Sequence, residues 1–348
     1  MNIKTLFTGK ALALAASFFS LIAALVLLIA PIDALADSKS ISLTNVSYDP
    51  TRELYEQYNK LFRAYWKKTK GQEVEIHQSH GGSGKQSRSV QEGNEADVVT
   101  LALEGDVDKL RKAGLIDPGW VKKLDKNSSP YTSTIVFLVR KGNPKNIKDW
   151  DDIAKPGVEV ITPDPKSSGG AQWNFLAAWA FSNKRTNGDE AKNKEFVKAI
   201  YRNVTVLDSG ARGSTITFVE NRKGDVLLAW ENEAFLVQKE HPGAFEIIVP
   251  SLSILAQPSV AVVDTYARKH KTEEVAKAYL QYLYSDEAQR LQGKNFYRPS
   301  NPEILKEFKS TFNLNVQLVN IEADFGGWDA ATAKFFAEGA IFDQIYKK

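Results

Sequence analysis

The stretch from Thr162 to Phe175 reads TPDPKSSGGAQWNF, and it joins a strand to a helix. The apolar run VEVI, Val158–Ile161, precedes it, and AQWNFLAAWAF, Ala171–Phe181, has the apolar face of a helix. The Ser-Ser-Gly-Gly turn at 167–170 leaves the first N–H groups of that helix without covering side chains. Such a helix start can bind an anion, whereas the simpler interpretation is a serine N-cap followed by glycines in a tight turn.

The first 36 residues differ in composition from the rest of the chain. Lys4 and Lys10 lie near the start, residues 11–30 are apolar, and an Ala-Leu-Ala sequence ends at Ala36. This pattern predicts a secretory signal peptide that is removed after Ala36. The apolar run is also long enough for the alternative, an uncleaved membrane anchor.

The composition of the whole chain limits the classes of function. None of the 348 residues is cysteine, which excludes disulfides, thiolate catalysis and cysteine-ligated metals. Of the 45 basic and 42 acidic residues, two and one lie in the leader, which leaves 43 and 41 in a nearly neutral chain. Because the basic residues are scattered among acidic ones, we expect no nucleic-acid binding. A site for one small anion stays open, since local dipoles suffice for it.

A second junction of strand and helix contains Asp49 and Pro50. It follows the strand Ile41–Val46 and precedes the helix Arg52–Lys68, and we expect Asp49 to cap that helix. Aromatic and apolar residues recur along this helix at helical spacing, which predicts one buried face rather than a stacking surface. They are Tyr58, Leu61, Phe62, Tyr65 and Trp66.

A third junction, QSHGGSGKQS at 78–87, follows the strand Glu73–Ile76. It does not match the phosphate-binding loop of nucleotide hydrolases, because Gln86 follows Lys85 where that motif needs serine or threonine. Its glycines nevertheless leave backbone N–H groups accessible at a helix start. Ser83 is the candidate donor in this loop.

A fourth junction, DSGARGST at 208–215, follows the strand Val204–Leu207. Its glycine and serine content again leaves N–H groups accessible, with Ala211 among them. Arg212 could pair directly with an anion or hold the loop. We favour the second role, because the carboxylates of Asp208 and Glu220 compete for the guanidinium.

Trp230 ends an apolar stretch, DVLLAW, that reads as an inner strand. Ligands of open α/β sheets bind beyond the carboxyl ends of the strands. The indole N–H is a donor only. We therefore expect Trp230 to offer a donor at the rim where a ligand binds.

Alternating strands and helices predict two α/β lobes. The apolar stretch Tyr131–Arg140 is predicted to cross between the lobes, and Ile254–Pro258 to carry the chain back. The predicted organisation is a leader at 1–36, a first lobe at 37–130, a second lobe at 131–255 and a return to the first lobe at 256–348. The last part is predicted to serve packing, with one helix from Asp329 to Tyr346, and the lobe to which it belongs is left open.

No stretch supplies the residues of an enzyme or a metal site. The four histidines, at 77, 80, 241 and 270, show no arrangement that would activate a serine. His77 and His80 are predicted to be polar turn residues rather than metal ligands. The acids Asp149, Asp151 and Asp152 are predicted to occupy the first turn of a short helix. We therefore predict a binding protein without a cofactor, and the alternative is a secreted hydrolase of sulfate or phosphate esters.

Six longer motifs follow one another along the chain: SYDPTRELYEQYNK, QSHGGSGKQ, PYTSTIVFLVRKGNPK, TPDPKSSGGAQWN, VLDSGARGST and AWENEA. Together they resemble the motifs of the bacterial periplasmic sulfate-binding proteins, over nearly all of the chain after the leader. The resemblance implies the type II periplasmic binding protein fold, an α/β architecture of two lobes, each a mixed sheet flanked by helices, that close over a ligand in the cleft. It also implies a periplasmic protein that serves the membrane permease of an ABC transporter, and we expect a monomer.

Carried over motif by motif, the sulfate donors of that family fall on seven residues. These are the main-chain N–H groups of Asp49, Ser83, Gly169, Gly170 and Ala211, the hydroxyl of Ser168 and the indole of Trp230. Asp49 would then turn its own carboxylate away, into its helix cap. The thiosulfate-binding proteins share these motifs, so thiosulfate is the alternative ligand, beside molybdate and phosphate.

Overall fold

The computed structural model describes residues 40–346. The predicted leader, its cleavage after Ala36 and the alternative membrane anchor therefore lie outside the described residues. Among residues 40–346, no helix is both long and apolar enough to cross a membrane.

The elements alternate between strands and helices over most of the chain. Up to residue 128 they are β1 Ile41–Tyr48, a 3-10 turn Asp49–Thr51, α1 Arg52–Lys70, β2 Val74–Gly81, α2 Ser83–Gln91, β3 Val98–Leu101, α3 Glu104–Lys112, a 3-10 turn Trp120–Lys122 and α4 Asp125–Ser128. From 131 to 254 they are β4 Tyr131–Thr132, β5 Ile135–Arg140, α5 Trp150–Ile153, β6 Val160–Pro163, α6 Gly169–Thr186, α7 Glu190–Arg202, β7 Val204–Asp208, α8 Ala211–Val219, β8 Val226–Trp230, α9 Glu231–Glu240, β9 Phe245–Ile248 and β10 Leu252–Ile254. The remainder comprises β11 Ser259–Val262, α10 Asp264–His270, α11 Glu273–Tyr282, α12 Asp286–Lys294, β12 Arg298–Pro299, α13 Pro302–Glu307, β13 Gln317–Val319, α14 Ile321–Phe325, α15 Gly327–Ala331, a π-helix Thr332–Phe336 and α16 Ile341–Ile345.

Two mixed sheets define two lobes. The first lobe contains a sheet in the order β11-β3-β1-β2, in which β1 is parallel to β2 and β3, and β11 is antiparallel to β3. The second lobe contains a sheet in the order β7-β6-β8-β5-β9, in which β6 is parallel to β7 and β8, and β5 is antiparallel to β8 and β9. The predicted α/β architecture with a mixed sheet in each lobe is confirmed.

The chain segments that cross between the lobes pair with one another. Ser133 and Ala256 exchange backbone hydrogen bonds of 2.9 Å in both directions. Beside them, β4 pairs antiparallel with β12. The crossing predicted within Tyr131–Arg140 therefore lies at its start, since β5 already belongs to the second sheet, and the return predicted at Ile254–Pro258 runs alongside it.

Local patterns explain most helix boundaries. Helix α1 buries Tyr55, Tyr58, Phe62 and Trp66, so the predicted aromatic face is part of the core. It ends at Gly71, whose φ of 66° is unfavourable for other residues. The acidic first turn predicted near Asp149 is confirmed as a capping box of Asp149 and Asp152.

Strand β2 is longer than predicted. It pairs with β1 as far as Gly81, so the prediction of a polar turn at His77 and His80 was wrong. Since β2 lies at the edge of its sheet, its side chains after Val74 remain half-buried or exposed, and polar residues are tolerated there. Only Gly82 separates β2 from α2.

The C-terminal part packs on the second lobe. Strand β13 pairs with β10, and Phe335, Phe336 and Phe342 belong to the same core cluster as Trp173 and Phe175 of α6. Residues 317–346 therefore pack on the second lobe, a choice that the sequence left open. The helix predicted from Asp329 to Tyr346 is divided into α15, the π-helix and α16.

Candidate functional site

The seven predicted site residues surround one cavity between the two lobes. The cavity is narrow, since the residues of the two lobes lie close together around it. Its lining comes from both sheets: Tyr48, Asp49, Pro50, Gly81, Gly82, Ser83 and Ala102 of the first lobe, and Ser168, Gly169, Gly170, Ala211 and Trp230 of the second. The structure thus brings together every residue that the sequence singled out as a donor.

The cavity lies where parallel strands end and helices begin. Asp49 begins the 3-10 turn after β1, Ser83 begins α2 after β2, Gly169 begins α6 after β6, and Ala211 begins α8 after β7. Because neighbouring parallel strands present their carboxyl ends at the same edge of a sheet, these helix starts converge within each lobe. The contact between the lobes brings the two sets together.

The helix starts leave their first N–H groups available. Tyr48, Gly82 and Gly210 precede three of these helical segments, and none of them caps its segment with a side-chain hydrogen bond. In the described part of the chain, the N–H groups of the five predicted main-chain donors have no hydrogen-bond acceptor. Unpaired N–H groups at helix N-termini, together with the helix dipole, form an anion-binding arrangement.

The hydroxyls of Ser83 and Ser168 differ in whether they can donate a hydrogen bond to a ligand. The Ser83 hydroxyl donates to Asp106 Oδ2 at 2.7 Å and accepts from the Ala102 N–H at 3.1 Å. Only the main-chain N–H of Ser83 therefore remains for a ligand. The Ser168 hydroxyl is the N-cap of α6 and accepts from the Ala171 N–H at 3.4 Å, which leaves its own hydrogen free to donate.

Trp230 offers a buried donor without a partner. Its side chain is 2% exposed, and within the described chain its Nε1 has no hydrogen-bond acceptor. The indole nitrogen lies so close to Gly170 that a Cβ atom at Gly170 would overlap it. The N–H of Trp230 is therefore next to the N-terminus of α6, and a buried donor without an acceptor needs one.

The charged residues near the cavity pair with one another. Arg212 donates to both oxygens of Glu53 at 2.9 Å and to both oxygens of Glu233 at 2.8 and 3.1 Å. Burial alone would lower the pKa of Arg212, but the two carboxylates overcome this effect and raise it. These contacts agree with the favoured role of Arg212, which was to hold the loop. The prediction that Asp208 and Glu220 compete for the guanidinium was wrong, because its partners are Glu53 and Glu233. Glu53 belongs to the first lobe, so this ion pair also joins the lobes.

The carboxylate of Asp49 does not cap a helix. It accepts from Arg52 Nη2 at 2.9 Å, and the turn that Asp49 begins has no side-chain cap. The expectation that this carboxylate turns into a helix cap was therefore wrong. The pairing with Arg52 has a similar effect on a ligand, because it neutralises the negative charge beside the cavity.

The histidine nearest to these loops is uncharged at neutral pH. Burial lowers the pKa of His80 to about 4, and its Nδ1 lies 3.4 Å from the Tyr48 carbonyl oxygen. Among residues 40–346, no group of three or more histidine, aspartate or glutamate side chains could hold a metal ion.

Five residues that line the cavity were not singled out from the sequence. They are Tyr48, Pro50, Gly81, Gly82 and Ala102. Four of them lie within or next to a predicted junction, and Ala102 directly follows β3 of the structure. The rule that ligands bind beyond the carboxyl ends of strands could have found Ala102, which follows β3.

Comparisons with known proteins agree with this geometry. The family model of the bacterial extracellular solute-binding proteins matches residues 43–298. A sulfate-binding protein from Escherichia coli is 60% identical over 312 residues, which cover 89% of this chain and 94% of the relative. A thiosulfate-binding protein from Pseudomonas aeruginosa is 47% identical over 306 residues, covering 87% of this chain and 92% of the relative. The solved structure of the sulfate-binding protein SubI from Mycobacterium tuberculosis matches with a TM-score of 0.77 at 33% identity, covering 85% of this chain and 99% of that one.

Proposed function

Since the chain belongs to the bacterial extracellular solute-binding proteins, and among them to the sulfate-binding protein family, we propose that it captures sulfate between its lobes for an ABC-type importer. One observation carries this proposal. The cavity gathers five unpaired main-chain N–H groups, the Ser168 hydroxyl and the Trp230 indole, and each of these groups can donate a hydrogen bond.

The donor set explains how the site would select sulfate. Sulfate at neutral pH carries no proton, so every oxygen accepts hydrogen bonds. Phosphate retains a proton that needs an acceptor. Among the described residues that line the cavity, the one carboxylate is that of Asp49, and its Oδ1 accepts from Arg52. Leaving the phosphate proton unpaired costs roughly 1–3 kcal/mol. We therefore expect the site to discriminate against phosphate.

Helix dipoles would stabilise the charge of the ion. Helices α2, α6 and α8 each place their N-terminus at the cavity, and each is equivalent to roughly half a positive charge near its end. The cations nearby, Arg52 and Arg212, are held by carboxylates of the chain. The ion would therefore be bound by neutral donors.

Thiosulfate is the second candidate ligand. The thiosulfate-binding relative is 47% identical over 87% of this chain, so the family alone does not separate the two anions. A thiosulfate ion replaces one oxygen by a larger sulfur that accepts hydrogen bonds weakly. Seven proposed donors line the cavity, and an ion that accepts strongly through every outer atom uses them better, which favours sulfate.

The site does not support the alternative of an ester hydrolase. Neither Ser83 nor Ser168 has a hydrogen bond to a histidine in the described chain, and Ser83 binds Asp106 instead. A nucleophilic serine needs an adjacent general base. The proposed role is therefore binding and delivery without chemistry or a cofactor.

The proposal includes location and partners. We infer export to the periplasm, removal of residues 1–36 as a signal peptide, and delivery of the ion to the permease by a monomer. The first lobe would comprise residues 37–130 and 256–316, and the second lobe 131–255 together with 317–346. Closure on the ion is a population shift, because sulfate contacts both lobes only when they meet.

Calorimetric titration tests the ligand directly. The purified protein, extensively dialysed, is titrated with sulfate, thiosulfate and phosphate at pH 6 and pH 8. We expect one sulfate per chain, with phosphate weaker by roughly 5- to 150-fold at both pH values, because an unpaired proton costs the equivalent of 1–3 kcal/mol. If phosphate bound and sulfate gave no binding heat, an acceptor would have to line the cavity, and the assignment of the seven donors would be withdrawn.

The Trp230 donor has its own prediction. Trp230→Phe keeps an aromatic ring and removes the N–H, so we expect sulfate affinity to fall by roughly 10- to 150-fold, the equivalent of one hydrogen bond to a charged group. Trp179→Phe, a matched change in the core of the second lobe, should leave affinity unchanged. Equal affinity of wild type and Trp230→Phe by calorimetry would remove Trp230 from the site.

A further inference from the structure

Two glycines that lie immediately before predicted donors are in close contact with the opposite lobe. Gly82 precedes Ser83 in the first lobe, and Gly210 precedes Ala211 in the second. Their backbone angles, φ −57° with ψ 133° and φ −162° with ψ 167°, are open to any residue. The backbone conformation therefore does not require glycine at either position.

Contact with the other lobe does require it. A Cβ atom at Gly82 would lie 2.5 Å from the carbonyl oxygen of Ser209 and 2.6 Å from that of Ser167. Both carbonyl groups belong to loops of the second lobe. They are backbone atoms, and Ser167 also accepts the Lys85 N–H of the first lobe at 3.3 Å, so they cannot move aside without separating the loops.

Gly210 makes the reciprocal contact. A Cβ atom at this position would overlap Oδ2 of Asp49 and lie 3.4 Å from the Gly82 nitrogen, both in the first lobe. The obstacle here is the end of a side chain, although Arg52 holds that carboxylate. At both Gly82 and Gly210, atoms of the opposite lobe thus occupy the space that a side chain would fill.

We propose that Gly82 and Gly210 are positioning residues that set the affinity for the anion by allowing the lobes to close completely. The proposal rests on the proposed function, capture between the lobes. A methyl group at either position leaves all seven donors in place but holds the two sets of donors apart. Because the apparent affinity falls with the population of the binding-competent closed form, binding weakens although no contact to the ion is removed.

The test compares Gly82→Ala with Gly84→Ala. At Gly84 a Cβ atom would be at an ordinary contact distance of 3.4 Å from the same Ser167 carbonyl oxygen, so the second variant is a matched control. By calorimetry, we expect Gly82→Ala to bind sulfate roughly 10- to 100-fold more weakly, as for insertion of a methyl group into a packed contact. Gly84→Ala should bind as wild type does. Small-angle scattering at saturating sulfate should show a larger radius of gyration for Gly82→Ala alone.

A double variant tests the second glycine independently. Gly210→Ala should also weaken sulfate binding, and adding Asp49→Ala should recover part of the loss, because the overlapping carboxylate is removed. No side-chain change can relieve Gly82→Ala, since its obstacles are carbonyl oxygens. The Gly210→Ala change should weaken binding less in the Asp49→Ala background than in wild type, because this comparison cancels the charge effect of removing Asp49. An equal loss in both backgrounds would contradict the steric origin.

The outcomes separate the two proposals. If wild type binds sulfate and both Gly82→Ala and Gly210→Ala bind it equally well, the inference is wrong and the proposed function stands. If wild type binds no oxyanion, the proposed function is wrong and the inference falls with it. Without ligand, the thermal unfolding temperature of Gly82→Ala and of Gly210→Ala should equal that of wild type. The reason is that the overlaps of each new methyl group are with atoms of the opposite lobe and not of its own.

Discussion

Replacing Arg298 by methionine is expected to lower the free energy of unfolding by about 3–5 kcal/mol, the range for removing one partner of a buried ion pair. Arg298 donates to Glu231 through Nε at 2.7 Å and Nη2 at 2.8 Å. The two side chains are 6% and 3% exposed. Without the guanidinium, Glu231 would be a buried carboxylate without a counter-charge, directly after the site residue Trp230.

Two control variants isolate the cause in urea denaturation. Arg290→Met breaks a similar pair with Glu307, but both of these side chains are 45% exposed, so the expected loss is at most about 1 kcal/mol. The double variant Arg298→Met with Glu231→Leu removes both charges, and we expect it to regain most of the lost stability. If Arg298→Met costs no more than Arg290→Met, burial does not strengthen this pair.

Local sequence patterns predicted seven residues that line the cavity, because the positions of these residues depend on local turns. Each donor lies at a turn between a strand and a helix, and glycine, serine and proline mark such turns within ten residues. The alternation of strands and helices places these turns at the same edge of a sheet. Hence Ser168, Gly169 and Ala211 could be found without knowing the tertiary structure.

Contacts between distant parts of the chain could not be predicted in this way. Arg212 pairs with Glu53, 159 residues away, and with Glu233, 21 residues away. The carboxylates of Asp208 and Glu220 are nearer in sequence but do not bind it. The Asp49 carboxylate pairs with Arg52 instead of capping, because Asp49 is already the first residue of its turn. Charge patterns do not specify which of several acids a buried guanidinium will meet.

The C-terminal segment illustrates the same limit. Its phenylalanines predict burial, but a pattern of apolar residues does not identify the surface that covers them. The π-helix at Thr332–Phe336 and the break before α16 redirect those side chains onto α6 and α7. The prediction of a single helix from Asp329 to Tyr346 failed for this reason.

Phe175→Ala is expected to lower the free energy of unfolding by about 3–5 kcal/mol, as for a fully buried aromatic residue in a packed core. Phe175 is 0% exposed. Its ring centroid lies 5.7 Å from that of Phe335, 5.3 Å from Phe336 and 6.2 Å from Phe342, all in the C-terminal segment. Much of the loss therefore reports on the attachment of that segment to the second lobe.

A double-mutant cycle makes this attachment measurable. Phe342→Ala combined with Phe175→Ala should cost less than the two single changes added together, with a coupling of about 0.5–3 kcal/mol, because the residues are in contact. Phe62 lies in the core of the first lobe, so Phe62→Ala with Phe175→Ala should be additive. Additivity of the Phe175 and Phe342 changes in urea denaturation would mean that the C-terminal segment does not pack on α6. The cycle therefore decides whether the second lobe, which supplies Ser168 and Trp230, depends on residues 317–346 for its core.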